Sequence, residues 1–203
     1  MVTPMSLDIS AFIDGEIAKS RAGLAELESP QYSQTLTEIA NKAVEAIRAG
    51  NKIMFCGNGG SAADSQHLAA ELVGRQNYNR APAAGIALTT DTSALTAIGN
   101  DYGYDNVFSR QVEALGQAGD VLIGISTSGR SQNIVRAIES AKAKGITTVG
   151  LTGREPRDMG IADIRLCVPA SETAKIQELH ITCGHIIFAL VERILFPTPF
   201  DGS

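Results

Sequence analysis

Lys52-Ile53-Met54-Phe55 leads into Cys56-Gly57-Asn58-Gly59-Gly60-Ser61, and Val121-Leu122-Ile123-Gly124-Ile125 leads into Ser126-Thr127-Ser128-Gly129-Arg130-Ser131. Each stretch pairs a short apolar run, the pattern of a buried strand, with a loop of small and hydroxyl residues, and each loop opens a helical pattern. Neither loop carries a P-loop lysine. A loop of this kind at a helix N-terminus offers backbone N–H groups, hydroxyls and the positive end of a helix dipole. It suits an anion, above all a phosphate, held with little formal charge. Two such loops in one sheet point to a small polar phosphorylated ligand gripped from two sides. Gly57-x-Gly59-Gly60 lacks the G-x-G-x-x-G spacing, and no acidic residue ends a second strand about 20 positions on, so a dinucleotide fingerprint is a poor reading.

Outward from these loops, strand and helix patterns alternate. Strands are expected at 52–56, 85–88, 120–125, 146–151 and 163–168, and helices at 61–75, 91–99, 105–116 and 131–144, with a short one near 157–160. A last long helix is expected over 172–195, stopped by Pro197. Val121–Ile125 and Thr147–Leu151 are nearly continuous apolar runs, as parallel strands covered on both faces require. The alternation implies a parallel sheet with right-handed crossovers. Ligands of such sheets bind beyond the carboxyl ends of the strands, where both loops lie. Ahead of the first strand, Leu7–Leu27 has helical spacing (Ile9, Phe12, Ile13, Ile17, Leu24, Leu27), and Ser29-Pro30 breaks it. Tyr32–Arg48 repeats the pattern and ends at Gly50. These two helices either cover the sheet or meet a partner subunit.

The 203 residues read as one domain, with 1–50 a helical N-terminal segment and 51–203 the α/β core and C-terminal helix. Apolar residues make up 44% and charged residues 19%, a globular balance. The net charge of −5 argues against non-specific binding to nucleic acid or a membrane surface, both of which need a positive surface. Cys56, Cys167 and Cys183 are odd in number and irregularly spaced, which reads as reduced thiols. Met1–Ile9 lacks a basic region followed by an apolar one, and no apolar run approaches a membrane span. A cytoplasmic location is expected.

Several residues could carry chemistry. Ser61 reads as a helix N-cap with Asp64 as a weaker capping-box partner. His67 and Glu71, four apart, share a helix face, which suits two ligands of one metal, a base beside its proton partner, or a plain surface pair. Gln177, His180 and His185 fall on the last helix. Gln177 and His185 point about 80° apart and lie about 12 Å apart along the axis, a stretched pair for one metal. His180 reads as a packing or surface residue. His185, beside Ile186, Ile187 and Phe188, could be a satisfied core histidine. Asn100-Asp101-Tyr102-Gly103 reads as a turn, and Arg130 serves a phosphate or solvent equally well.

Taken together, Cys56-Gly57-Asn58-Gly59-Gly60-Ser61, His67-x-x-x-Glu71-Leu72, Ile98-Gly99-Asn100-Asp101, Gly124-Ile125-Ser126-Thr127-Ser128-Gly129-x-Ser131, and Ile176-Gln177-Glu178-x-His180 with His185 resemble the sugar isomerase (SIS) domain family, within it the phosphoheptose isomerases. The likeness keeps the motif order over nearly the whole chain. It implies a flavodoxin-like three-layer αβα sandwich with a five-stranded parallel sheet, and a homotetramer with sites at subunit contacts. It implies isomerisation of sedoheptulose 7-phosphate to D-glycero-D-manno-heptose 7-phosphate through an enediolate, the first step of bacterial heptose biosynthesis. It implies that Asn58, Gly59, Gly60, Glu71, Asn100, Asp101, Ser126, Thr127, Ser128, Ser131 and Gln177 bind substrate. It further implies that His67, Glu71, Gln177 and His185 hold one zinc ion, and that Glu71 and His185 form the acid/base pair.

A non-catalytic relative that binds the replication initiator DnaA shares much of this pattern, and Leu95-Thr96-Ala97-Ile98 and Leu195-Phe196-Pro197 look more like it. That relative lacks counterparts of Glu71 and His185, which this chain has, so the chemistry favours the enzyme over a DnaA-binding regulator or a phosphosugar sensor.

Overall fold

The computed structural model describes residues 7–197. The reading of Met1–Ile9 as leader-free, in its first six positions, and the two ends of the 1–203 span lie outside the described residues.

Five parallel strands, β1 (Ile53–Gly57), β2 (Gly85–Ala87), β3 (Val121–Ile125), β4 (Thr147–Thr152) and β5 (Ile164–Cys167), stand in the order β2-β1-β3-β4-β5. This is the flavodoxin-like order, whose ligand crevice opens where the winding reverses, between β1 and β3. The helices are α1 (Ile9–Glu26), α2 (Pro30–Arg48), α3 (Gly60–Val73), α4 (Thr92–Tyr102), α5 (Ser109–Leu115), α6 (Gln132–Ala143) and α7 (Thr173–Leu195), with 3-10 turns at Tyr104–Asn106 and Arg157–Ile161.

The apolar strands are explained by two cores. Ile53 and Phe55 of β1 and Val121, Ile123 and Ile125 of β3 pack under α2, α3 and α7. Met54, Cys56 and Leu122 face the other way, onto Val112 of α5 and Ile134 and Ile138 of α6. Alternate side chains thus meet opposite layers, and both layers are apolar. Phe55 meets Phe188 of α7 edge-on at 5.5 Å, and truncating such a fully buried ring costs about 3–5 kcal/mol.

Helix ends differ from the sequence reading in explicable ways. Pro30 starts α2 instead of only ending its predecessor, because proline lacks the N–H that a first helical residue leaves unused. α4 runs on to Tyr102, closed by Gly103 at φ 82°, and the next helix starts at Ser109 after a 3-10 turn. Of the two N-terminal helices, α2 covers the sheet with Leu36, Ile39, Ala43 and Val44. Among the residues of α1 only Gly23 is buried, where its missing side chain admits Leu179 of α7. Ile9, Phe12, Ile13, Ile17 and Leu24 of α1 stay exposed.

Candidate active site

The β1–β3 register pairs Gly57 with Ile125, so the loops after these strands emerge side by side at the carboxyl edge. Between them lies a cavity of about 260 Å³, lined by Asn58, Gly59, Gly60 and Ser61 from one loop, Ser126, Thr127 and Ser131 from the other, and Thr173 and Gln177 of α7. Three helices begin at its wall. None of α3, α6 or α7 has a side-chain cap hydrogen bond at its first turn. The first N–H groups of α6 and α7, the Gly60 N–H of α3 and the three helix dipoles therefore remain available to an anion, whereas the Ser61 and Ala62 N–H groups of α3 already bond Asn58 O and Gly59 O, each at 3.0 Å.

Ser61 is not the cap of α3. Gly59 holds that place at φ 56°, in the left-handed region that favours glycine, and Ser61 lies inside the first turn with its N–H on Asn58 O at 3.0 Å. Asp64 caps nothing among the described residues: its Oδ2 is buried without a partner there, and burial holds its carboxyl above the usual range against the pull of His67 and His185. Ser131 likewise spends its hydroxyl away from α6, 2.9 Å from Ser126 Oγ, and Ser128 Oγ accepts the Arg130 N–H at 3.2 Å. The hydroxyls of Ser126, Ser128 and Ser131 thus form one cluster, of which Ser126 and Ser131 line the cavity with Thr127 while Ser128 lies outside its lining. Asn58 is held by a reciprocal amide pair with Asn133, 2.9 Å in each direction, and by Tyr104 Oη, which donates to its Oδ1 at 3.1 Å. A Cβ on Gly60 would fall 2.6 Å from Gln177 Nε2, so the glycine makes room for that amide at the cavity wall.

Further along the same pair of helices stands a second cluster. His67 and Glu71 lie one turn apart on α3, and α7 comes close enough to add His185 because Gly184 admits Leu68 where a Cβ would stand only 2.7 Å away. His67 Nε2 and His185 Nε2 are 2.9 Å apart, and Glu71 Oε1 is 3.3 Å from the first and 3.4 Å from the second. Glu71 is mostly buried, at 13% exposure, while His67 (53%) and His185 (42%) open to solvent. Glu71 Oε2 is buried with no partner among the described residues. The three donor atoms lie within 4.8 Å of one another and form a group able to hold a metal ion. Two imidazole nitrogens and a carboxylate oxygen suit a borderline cation, and a tetrahedral zinc with bonds of about 2.0–2.1 Å needs donors about 3.3 Å apart.

Not every expected residue joins these clusters. Gln177 is at the cavity, beside Gly60. Asn100 and Asp101 lie in the last turn of α4 on an exposed surface, bonded to each other at 2.8 Å, and line neither cluster. Arg130 is exposed. His180 is the packing residue expected: it is buried, with Nε2 3.0 Å from Thr152 O, and burial lowers its pKa to about 4 although that bond works the other way. Burial pushes the Cys183 thiol up to about 12 and Cys56 higher still, so neither is a nucleophile at neutral pH.

Sequence reasoning missed Asn133, Tyr104 and Thr173, and a buried Arg80–Glu192 pair behind Glu71 (3.0 Å, side chains 3% and 1% exposed). A signal existed for the last. Glu192 follows Ile187, Phe188 and Val191 on an apolar helix face, and a carboxylate there needs a buried partner.

Residues 17–153 match the SIS domain family. The chain is 53% identical over 183 residues to the phosphoheptose isomerase of Maridesulfovibrio salexigens, covering 89% of each sequence. The solved phosphoheptose isomerase structure from Neisseria gonorrhoeae superposes with a TM-score of 0.84 at 43% identity, covering 90% of this chain and 99% of that one. That from Francisella tularensis gives 0.86 at 31% identity, covering 92% and 100%. With the strand order, the two hydroxyl-rich loops and the His–Glu–His cluster all in place, the chain belongs to the SIS domain family, in its phosphoheptose isomerase branch.

Proposed function

We propose that this protein interconverts sedoheptulose 7-phosphate and D-glycero-D-manno-heptose 7-phosphate by proton transfer between C1 and C2. The observation that carries the reading is the unpartnered, buried Glu71 Oε2 beside His185. Leaving a buried acceptor unmet costs about 1–3 kcal/mol, a cost offset where that atom takes a proton in the reaction. The phosphate rests on the hydroxyls of Ser126, Thr127 and Ser131, which line the cavity, and on the N-terminal ends of α6 and α7, with Ser128 assigned to it as well. Asn58, Gly59, Gly60 and Gln177 meet the sugar, and Asn100 and Asp101 are assigned to it as well. Glu71 takes a proton from C1, the electron pair moves into a C1–C2 enediolate, and His185 delivers a proton to O2 and accepts one from O1. Glu71 then returns its proton to C2, so atoms and charge balance.

His67, Glu71 and His185 fit a zinc ion, Gln177 is assigned to it as a fourth donor from the family likeness, and such an ion would polarise the carbonyl and hold enediolate charge. The two carboxylate oxygens divide the work: Oε1 faces the imidazoles, and Oε2 is left to carry the proton. One imidazole nitrogen cannot bind a cation and shuttle a proton at once, so a chelator reveals which role of His185 the reaction uses.

The exposed apolar stripe of α1 supports a homo-oligomer, and we take it as a tetramer of single-domain chains in the cytoplasm. Among the described residues no helix is long and apolar enough to cross a membrane. A coupled assay on sedoheptulose 7-phosphate, with zinc and with a chelator, tests the reading. Turnover is expected, and a folded protein inert in both arms overturns it.

A further inference from the structure

The segment after α3 returns across the C-terminal ends of both site helices. Arg80 donates Nη2–H to Glu71 O at 2.6 Å, Nη1–H to Leu72 O at 2.8 Å and to Ala81 O at 2.9 Å, and Nε–H to Glu192 Oε1 at 3.0 Å. Glu71 O and Leu72 O are among the last carbonyls of α3, which have no partner within the helix. A guanidinium there also meets the negative end of the dipole. Glu192 stands two turns beyond His185 on α7 and also accepts Gln76 N–H at 3.0 Å, Asn77 N–H at 2.8 Å and Asn77 Nδ2–H at 2.9 Å. Gln76 Nε2 donates to His185 O at 3.0 Å. Tyr78 Oη donates to Phe196 O at 2.6 Å, and Arg80 lies 5.2 Å above the Phe196 ring.

The backbone atoms of Glu71 and His185 are therefore bonded to one short segment, and the two helices cannot slide without breaking a buried charge pair. We propose that Arg80 and Glu192, with Gln76, are positioning residues that set the separation of Glu71 and His185. The inference rests on the assignment of those two side chains to proton transfer. None of the three touches the substrate cavity, so their effect falls on the turnover step and spares substrate binding. Burial alone would raise the Glu192 carboxyl; the bonds from Gln76, Asn77 and Arg80 outweigh it and hold Glu192 charged, so the pair stays ionic.

The test uses two variants of the full chain. Arg80→Lys keeps the charge and loses the fork that reaches both helices at once. Gln76→Met cuts the His185 carbonyl tie at a half-buried position and keeps the pair intact. A misplacement of about 1 Å costs up to about 100-fold in rate, so kcat is expected to fall about 10–30-fold in Arg80→Lys and about threefold in Gln76→Met, with KM within about twofold. A merely structural role would lower kcat only in proportion to the folded fraction, read by thermal melting. Crystal structures of the variants report the separation of Glu71 Oε1 and His185 Nε2, now 3.4 Å, which should widen by about 1 Å. Folded Arg80→Lys with unchanged kcat and separation overturns the proposal; should it fail to fold, Gln76→Met decides by the same readings. If the parent protein turns over no sedoheptulose 7-phosphate, the isomerase reading fails, and the crystallographic separation alone still decides whether these residues set the geometry.

Discussion

α3 and α7 run side by side, and their two ends are built on opposite rules. At the N-terminal end no side chain caps either helix, serine hydroxyls bond to each other, and Gly60 makes room for Gln177. At the C-terminal end Arg80, Gln76 and Tyr78 take up carbonyls of both helices, and Glu192 accepts four hydrogen bonds. Unmet polar groups are costly; Asp64 Oδ2 and Glu71 Oε2 on α3 are left so, and at the closed end Gln76 Oε1 is the one such atom among the described residues, beside many met ones. Between the two ends sits the His67–Glu71–His185 cluster, which borrows its openness from one end and its rigidity from the other.

The comparison breaks hardest at Glu71. Glu71→Gln should lower kcat by about 10³-fold, roughly 4 kcal/mol, while a thermal melt shows an intact fold, because the amide keeps the shape and loses only the proton acceptor. Retained activity would move the carbon base elsewhere. His180 gives the next largest effect. It is buried neutral and titrates at about 4 in the fold, against an ordinary 6.5. Its contribution is complete above pH 6.5 and is lost as pH falls from there to about 4, where the unfolded chain binds a proton that the fold refuses. The loss is about 3 kcal/mol by denaturant titration, and His180→Asn should flatten the slope. Glu192, held below the usual carboxylate range, contributes fully above that range and loses its share only at lower pH, as its lowered value is passed. At the open end, Ser131→Ala should raise KM about tenfold, roughly 1.4 kcal/mol, with inorganic phosphate weakened alike as a competitor.

How much of this was readable in advance follows from the range of the interactions. The buried faces of β1 and β3 are written in runs of adjacent residues, and both loops follow directly, so the parallel sheet and the place of the cavity were legible, whereas the flavodoxin-like winding needed the family likeness. His67 and Glu71 share one turn of α3, and spacing alone displayed them. The pairing of Glu71 with His185 needed the family likeness, because it depends on Gly184 admitting Leu68 across α3 and α7, a contact with no local signature. The N-cap of α3 was misread at Ser61 because serine caps well in general, whereas here Gly59 supplies a backbone angle that serine would adopt only under strain. Asn58 was legible as a loop residue, but its partners are 75 and 46 positions away.

Tyr104 offers the finest division of the two ends. Its hydroxyl donates to Asn58 Oδ1, which already accepts from Asn133 Nδ2 at 2.9 Å, and Tyr104 itself is exposed. An oxygen with two lone pairs can lose one donor and keep its orientation through the other. The C-terminal end is built differently: Arg80 meets a separate acceptor with each nitrogen, Glu71 O and Leu72 O of α3 with Nη2 and Nη1 and the Glu192 carboxylate of α7 with Nε. Tyr104→Phe should therefore raise KM by only about twofold, leave kcat alone and change stability by less than about 0.5 kcal/mol. A tenfold rise in KM would mean that the arm running from α4 through Tyr104 does more than steady Asn58. It would then bring Asn100 and Asp101 to the sugar, and the open end would have its own rigid support.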